Sequence, residues 1–285
     1  MEKEKKGLII SFLLLCNIIA FSAFLDLRVD RNFKIIFFDV GQGDAALIRT
    51  PDRKNILIDG GPGDKILAHL SEKLPFWDRN IDLMILTHAH ADHLSGLVEV
   101  LERFNVKKVL WNKQSHDSLL YRQWELLLED IDSRRAYKGQ RIDLNGAYLD
   151  ILYPSKDIDF SEDLNENSVI KRFVHDKGEI LFTGDAYKKQ ERKLLEWEKK
   201  CIDQNFDWCR VMDIPSQVLK VGHHGSSTSS DYEFVERVNP EVSIISAGKN
   251  NRYGHPHEKV LETFNSLDIE MHKTFEDGNF KVKVE

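Results

Sequence analysis

From Phe33 onward, short apolar runs alternate with segments whose apolar residues recur at three- and four-residue spacing, and Gly, Pro and Asp mark the joins. Runs at 33–40, 44–50 and 55–59 predict strands, with Gly41, Gly43, Pro51, Gly60 and Gly61 as turn residues. In 64–74, Ile66, Leu67, Leu70 and Leu74 share one helical face, and 81–87 (Ile-Asp-Leu-Met-Ile-Leu-Thr) reads as a buried strand. Leu94, Leu97, Val98 and Leu101 then return to helical spacing, so Asp92 and His93 fall where a loop enters a helix. Strands near 106–111, 146–153, 168–174, 179–183, 217–221 and 242–246, helices near 117–130, 187–200 and 256–265, and closing strands complete the pattern. No internal repeat, low-complexity tract or long linker interrupts it, so a single α/β domain over 33–285 is expected.

The stretch ahead of that domain, 1–32, differs. Residues 7–25 form an apolar run without a charge, and Asn17 is its one strongly polar residue. Its length reaches just under the ~30 Å of a bilayer core. Lys3, Lys5 and Lys6 precede it and Arg28 and Arg31 follow, which predicts a membrane anchor with the remaining chain outside the cytoplasm. A secreted domain released from a cleaved signal segment is the alternative, although no Ala-x-Ala-like site precedes Asp26. Cys16 lies in this run, leaving Cys201 and Cys209 downstream, whose spacing leaves open whether they pair.

Composition adds an exclusion. The chain of 285 residues carries a net charge of −7, and residues 1–25 hold three Lys against two Glu, so the domain itself is at −8. An acidic domain is no general nucleic-acid binder, and the charge run of the 187–200 helix reads as a solvated face.

The chemistry concentrates in His88, His90, Asp92 and His93, a His-x-His-x-Asp-His cluster. Imidazole and carboxylate donors suit zinc and similar divalent ions, and the extended His88-Ala89-His90 spacing turns two rings to one side. One segment can thereby serve two neighbouring ions when distant residues complete the shells. Asp185, closing the run Phe182-Thr183-Gly184-Asp185, offers two oxygens to bridge them. His223 and His224 are adjacent and point apart, so one is expected to bind metal and the other to face substrate. Asp59, before Gly60 and Gly61, is placed to orient a liganding histidine through its second ring nitrogen. His69, His116, His175 and His272 lack such surroundings and read as surface or packing residues.

These residues resemble the metallo-β-lactamase superfamily, and the resemblance runs from about Phe33 to Glu285. Within it, 39–45 (Asp-Val-Gly-Gln-Gly-Asp-Ala), Asn167-Ser168, 181–185, 219–227 (Leu-Lys-Val-Gly-His-His-Gly-Ser-Ser) and 253–256 (Tyr-Gly-His-Pro) are similar to the hydrolase domain of ComEC-type competence proteins. The resemblance implies a four-layer αββα sandwich with a dinuclear centre between its sheets. It places Asp92, His93, Asp185 and His224 around one ion and His88, His90 and Asp185 around the other. His223 and His255 then become candidates to hold a substrate oxyanion or protonate a leaving group. The superfamily's separate histidine before the Gly-Asp strand is absent, with Asn165, Glu166, Asn167 and Ser168 in that region. The second ion is therefore expected to be more weakly held, with zinc favoured and manganese tolerated.

The implied activity is metal-dependent hydrolysis of phosphodiesters by a hydroxide bridging two ions, on nucleic acid or a small phosphodiester. A cell-envelope phosphodiester such as a phosphocholine ester is the alternative substrate, and a non-catalytic binding module the alternative class. No multi-helix channel is encoded in these residues, so transport of DNA by this chain alone is not expected.

Overall fold

A computed structural model of the chain describes residues 2–27, 32–204 and 207–284. The chain divides into two compact units, Met1–Asn32 and Phe33–Glu285. In the first, Glu2–Leu27 is a helix, α1, and Asn17 Nδ2 donates to Leu13 O within it at 2.8 Å. The expected membrane anchor is corrected by this unit, and the extracytoplasmic placement argued from it loses that ground: among the described residues no helix is long and apolar enough to cross a membrane. Arg28 and Arg31, which entered the orientation argument, lie outside the described residues.

In the second unit, the chain runs β1 (Phe33–Phe37), β2 (Ala46–Arg49), β3 (Asn55–Ile58), α2 (Lys65–Lys73), β4 (Asn80–Ile81), β5 (Leu83–Leu86), α3 (Ala91–Leu101), β6 (Asn105–Val106), β7 (Lys108–Trp111), α4 (Leu119–Leu127) and β8 (Asp132–Arg135). It crosses to a second sheet with β9 (Arg141–Asp143), β10 (Tyr148–Tyr153), β11 (Ile170–His175) and β12 (Gly178–Phe182). Helix α5 (Lys188–Asp203), β13 (Val218–Lys220), α6 (Tyr232–Val238), β14 (Val242–Ile245), α7 (Glu258–Ser266), β15 (Glu270–Lys273) and α8 (Thr274–Asp277) follow, and β16 (Phe280–Val284) returns to the first sheet. The sheet orders are β16-β1-β2-β3-β5-β7-β8 and β15-β14-β13-β12-β11-β10-β9, while β4 and β6 pair separately.

Why these strands form continuous apolar runs is plain from the layers, since both faces of each sheet are buried. Ile36, Leu47, Leu57 and Met84 turn outward onto α2, α3 and α4, and their neighbours Ile35, Ile48, Ile56 and Ile85 turn inward onto the other sheet. In the second sheet Phe173, Ile180 and Phe182 face inward, and Leu152, Ile170, Leu181 and Leu219 face the helices. Phe37 stacks on Phe182 across the sandwich at 5.3 Å between centroids. The result is the four-layer αββα order, helices outside two mixed sheets.

Polar strands escaped the sequence pattern. Strands β8 (Asp-Ser-Arg-Arg) and β9 (Arg-Ile-Asp) are edge strands with exposed side chains, so neither carries an apolar run. Helix α6 falls where the sequence showed no period long enough to count. Cys201 and Cys209 form a disulfide, with 5.3 Å between Cα atoms, tying the end of α5 to the following 3₁₀ turn.

The parallel strands β3, β5 and β7 point their C-terminal ends to one edge of the sandwich, where β12 and β13 of the opposite sheet also end. Helix α3 is fixed at that edge by backbone contacts that leave no room for a side chain. Gly60 N donates to His93 O at 2.8 Å and Gly96 N to Gly61 O at 3.0 Å. A Cβ on Gly96 would overlap the Gly60 carbonyl, and one on Gly43 would overlap the Asp92 carbonyl. We expect Gly96→Ala to lower unfolding free energy by about 1–3 kcal/mol or more, the range for overpacked interiors. A denaturation midpoint equal to that of the parent chain would contradict this packing.

Candidate metal centre

Loops leaving the strand ends carry the polar side chains into one recess. Thr87 and His88 follow β5, His90 stands at the N-cap of α3, and Asp92 and His93 lie in its first turn. Asp185 follows β12, and His223 and His224 follow β13 in a 3₁₀ turn where both take left-handed backbone angles (φ 47° and 56°). Such angles cost non-glycine residues about 1–3 kcal/mol, held here by surrounding contacts such as His223 N to Gly184 O at 3.1 Å.

Donor atoms of Asp92, His93, Asp185 and His224 all lie within 4.8 Å of one another. Asp185 Oδ1 is 3.3 Å from His93 Nε2, and its Oδ2 is 3.4 Å from His224 Nε2 and 3.8 Å from His88 Nε2. His224 Nε2 is also 3.3 Å from Asp92 Oδ2. His93 Nε2, His224 Nε2 and Asp185 Oδ1 are buried without a hydrogen-bond partner. Buried polar atoms without partners are costly, and several converging on one point mark a place for a cation. This donor set fits a divalent ion.

His88 and His90 stand beside it. Their rings meet edge to face, and His88 Nε2 lies 3.0 Å from His90 Nδ1, so both present donor atoms to one position near Asp185. They are not part of the tight four-donor group. Asn165, in the region where the superfamily's additional histidine is missing, has a buried Oδ1 without a partner, and its Nδ2 contacts Tyr187 Oη at 3.0 Å and His223 Nε2 at 3.3 Å.

The adjacent histidines divide as adjacency suggests. His224 is buried, and its Nδ1 donates to Ser246 O at 2.9 Å, which leaves Nε2 for the recess. His223 keeps 22% of its side chain exposed, with Nε2 3.9 Å from Asp185 Oδ2 and Nδ1 3.0 Å from Thr228 Oγ1. His255 packs edge to face on His223 at 5.5 Å and stacks with Tyr253 at 5.6 Å, lining the open side.

Behind the donors lies a supporting layer. Asp59 Oδ2 accepts from His93 Nδ1 at 3.0 Å and from Thr87 Oγ1 at 2.8 Å, and its Oδ1 accepts from Thr87 N at 2.8 Å. Asp44 stands 3.3 Å from His224 Nδ1 and 2.8 Å from Lys220 Nζ. Lys171 is buried close by, and a void of about 10 Å³, room for a single water, lies among Asp44, Asp59, Lys171 and Lys220.

Asp44 and Lys220 entered the sequence resemblance only as parts of the runs 39–45 and 219–227, and Lys171 not at all, although both lysines carry a signal. A lysine inside an apolar strand, as in Val218-Leu219-Lys220-Val221 or Val169-Ile170-Lys171, marks a charge that must meet a buried partner. His69 is a packing residue, stacked on Phe38 with Nε2 3.0 Å from Asp39 O.

Charge settles accordingly. Burial alone would lower His93 and His224, but Asp185 in both cases, with Asp59 for His93 and Asp44 and Asp92 for His224, holds their pKa values well above the ordinary imidazole value. Burial and the neighbouring His93 hold His88 well below it. Burial opposes ionisation of Asp185, yet His224 and His93 outweigh it and keep its carboxyl well below the usual range. Burial, then His223 and His224, push His255 down to about 4, and burial pushes Lys171 down to about 8.

A four-layer sandwich with a His-x-His-x-Asp-His loop, a shared aspartate and a late histidine at one strand edge defines a protein class. The family profile of the Metallo-beta-lactamase superfamily matches residues 38–249, and the chain belongs to that superfamily as a metal-dependent hydrolase. Within it the chain falls in the ComEC-like competence branch. It is 26% identical over 297 residues to ComE operon protein 3 of Bacillus subtilis (94% of this chain, 35% of that protein) and 28% identical over 257 residues to Recombination protein 2 of Haemophilus influenzae (88% and 29%). The chain thus spans about a third of the length of these relatives. The crystal structure of the metallo-beta-lactamase fold protein YhfI from Bacillus subtilis superposes with a TM-score of 0.57 at 12% identity, covering 88% of this chain and 99% of that one, a likeness of fold.

Asp59→Asn would set an amide N–H against at least one of the three donors that Asp59 now accepts. We expect a loss of about 10–100-fold in divalent-metal affinity, the usual effect of removing a partner that orients a ligand. Competition titration against a chelating dye would show it, and unchanged affinity would mean that Asp59 does not hold His93 for the ion.

Proposed function

We propose that the chain hydrolyses phosphodiesters, with single-stranded nucleic acid or a small diester as substrate, at the centre formed by Asp92, His93, Asp185 and His224 together with His88 and His90. The convergence of unpartnered buried donors on one recess is the observation that carries this reading. A scaffold kept only for binding has no need to bury them, since polar atoms without partners cost stability. Zinc suits the mixed imidazole and carboxylate donors, and manganese suits the histidine-poor position beside Asn165.

Divalent ions in such a site supply Lewis acidity and lower the pKa of water at neutral pH. The chain's own residues do the remainder. Asp185 offers one oxygen toward His93 and the other toward His224 and His88, which fixes the donors relative to one another. Asp59 holds His93 by its second nitrogen, and Ser246 O and Asp44 hold His224. His223 and His255 pack against each other on the open side, where they would stand beside the non-bridging oxygens of a bound phosphoryl group.

Substrate class follows from charge and from kinship. Kinship with proteins named Recombination protein 2 and Competence protein ComA supports a nucleic-acid phosphodiester as the substrate. A net charge of −7 disfavours a long duplex held by its backbone, which favours a single strand or short diester.

The test is hydrolysis of bis-p-nitrophenyl phosphate and of a single-stranded oligonucleotide by the purified chain loaded with zinc or manganese. We expect cleavage of at least one substrate, and Asp185→Asn to lower kcat/KM by about 10³-fold or more, as loss of a residue organising the whole centre does. No cleavage with either metal, or nitrocefin turnover as fast as phosphodiester turnover, would overturn the reading.

A further inference from the structure

A second recess opens at the opposite edge of the sandwich, and nothing in the hydrolytic reading uses it. Strands β3 and β5 run from this edge, at Asn55 and Leu83, to the metal centre at Asp59 and Thr87, roughly 13 Å away at strand rise. The recess has a volume of about 680 Å³, within the ~300–1,000 Å³ range of small-molecule sites. Ile56, Leu83, Leu110 and Ile142, side chains of the layer between the sheets, form its floor. Ile56 and Leu110 are buried and Leu83 and Ile142 half-buried, so the layer between the sheets shows part of its apolar surface at the bottom of the recess.

Its rim is basic. Lys54, Lys107, Lys108, Arg134, Arg141 and Arg210 line it against two acids, Asp82 and Asp143, in a chain whose net charge is −7. Four of the cations are held by carboxylates: Lys54 by Asp52 at 2.9 Å, Lys107 by Asp82 at 2.7 Å, Arg134 by Asp132 at 2.9 Å and Arg141 by Asp150 at 2.6 Å. Among the described residues Lys108 and Arg210 form no ion pair within 4 Å, although Asp132 stands across the ladder from Lys108, and Arg210 reaches Gly139 O at 3.5 Å. Tyr137 adds an aromatic wall.

We propose that this cleft binds a small amphiphilic anion, one with an apolar ring or chain and a phosphate or carboxylate group. The apolar body covers the half-buried Leu83 and Ile142, removing from water apolar surface that otherwise stays wet. The anionic group meets Lys108 and Arg210 at the rim, where positive charge concentrates in a low-dielectric concavity. A phosphorylated chain and a nucleoside monophosphate share this chemistry. The inference is independent of what the metal centre cleaves.

Isothermal titration of the full chain with octyl phosphate, adenosine monophosphate and inorganic phosphate tests it. Octyl phosphate or the nucleotide should bind at one saturable site, weaken as salt rises, and bind at least about tenfold tighter than inorganic phosphate because of the buried apolar body. Which of the two binds tighter identifies the source of the ligand. Lys108→Glu with Arg210→Glu should reduce that affinity at least about tenfold by reversing the rim charge, with the thermal unfolding midpoint of the parent chain retained. The milder Lys108→Gln with Arg210→Gln should shift it in the same direction. The proposal is overturned if neither organic anion binds, if inorganic phosphate binds equally well, or if both double variants bind as the parent chain does.

Discussion

The carboxylate of Asp185 stands among imidazoles contributed by two different sheets, and the site exists only where those sheets meet. His88 and His93 follow β5 of the first sheet, whereas Asp185 and His224 follow β12 and β13 of the second. Asp185 Oδ1 lies 3.3 Å from His93 Nε2 and Oδ2 lies 3.4 Å from His224 Nε2, so a slip of one sheet against the other by an ångström would break the set. The inter-sheet layer, with Phe37 stacked on Phe182, resists such slippage because close-packed interiors deform little. Packing of the core and geometry of the centre are thus one constraint.

Charge explains why the supporting layer is as extensive as it is. Asp44, Asp59 and Asp185 are buried, and buried carboxylates persist only when paired and hydrogen-bonded. Lys220 meets Asp44, Asp44 meets His224, and Thr87 and His93 share Asp59. The rings of His93 and His224, which face the recess with Nε2, are thereby fixed through Nδ1. The glycines at 43, 60 and 96 let the backbone approach closely enough for this layer to form, because any side chain there would hold α3 away from the strand ends.

Much of the fold was legible because its sheets are covered on both faces, which writes strands such as β1, β3 and β12 as apolar runs. Where burial is one-sided or absent, as at the edge strands β8 and β9, that signal vanishes. In the centre, His88, His90, Asp92 and His93 were visible because one short segment supplies four donors, and the fold brings Asp185 and His224 to them. Asp44, Lys171 and Lys220 act through contacts between residues far apart in sequence, so their partners emerge only in three dimensions. The apolar run at 7–25 misled on membrane anchoring, for among the described residues no helix is long and apolar enough to cross a membrane.

Anomalous diffraction from crystals of the chain grown with manganese or zinc addresses the central claim most directly. The account predicts a peak within about 2.0–2.3 Å of His93 Nε2, His224 Nε2 and a carboxylate oxygen of Asp185, and a weaker one beside His88 and His90. A metal-saturated crystal with no peak among these atoms, or with its peak elsewhere on the chain, would contradict it.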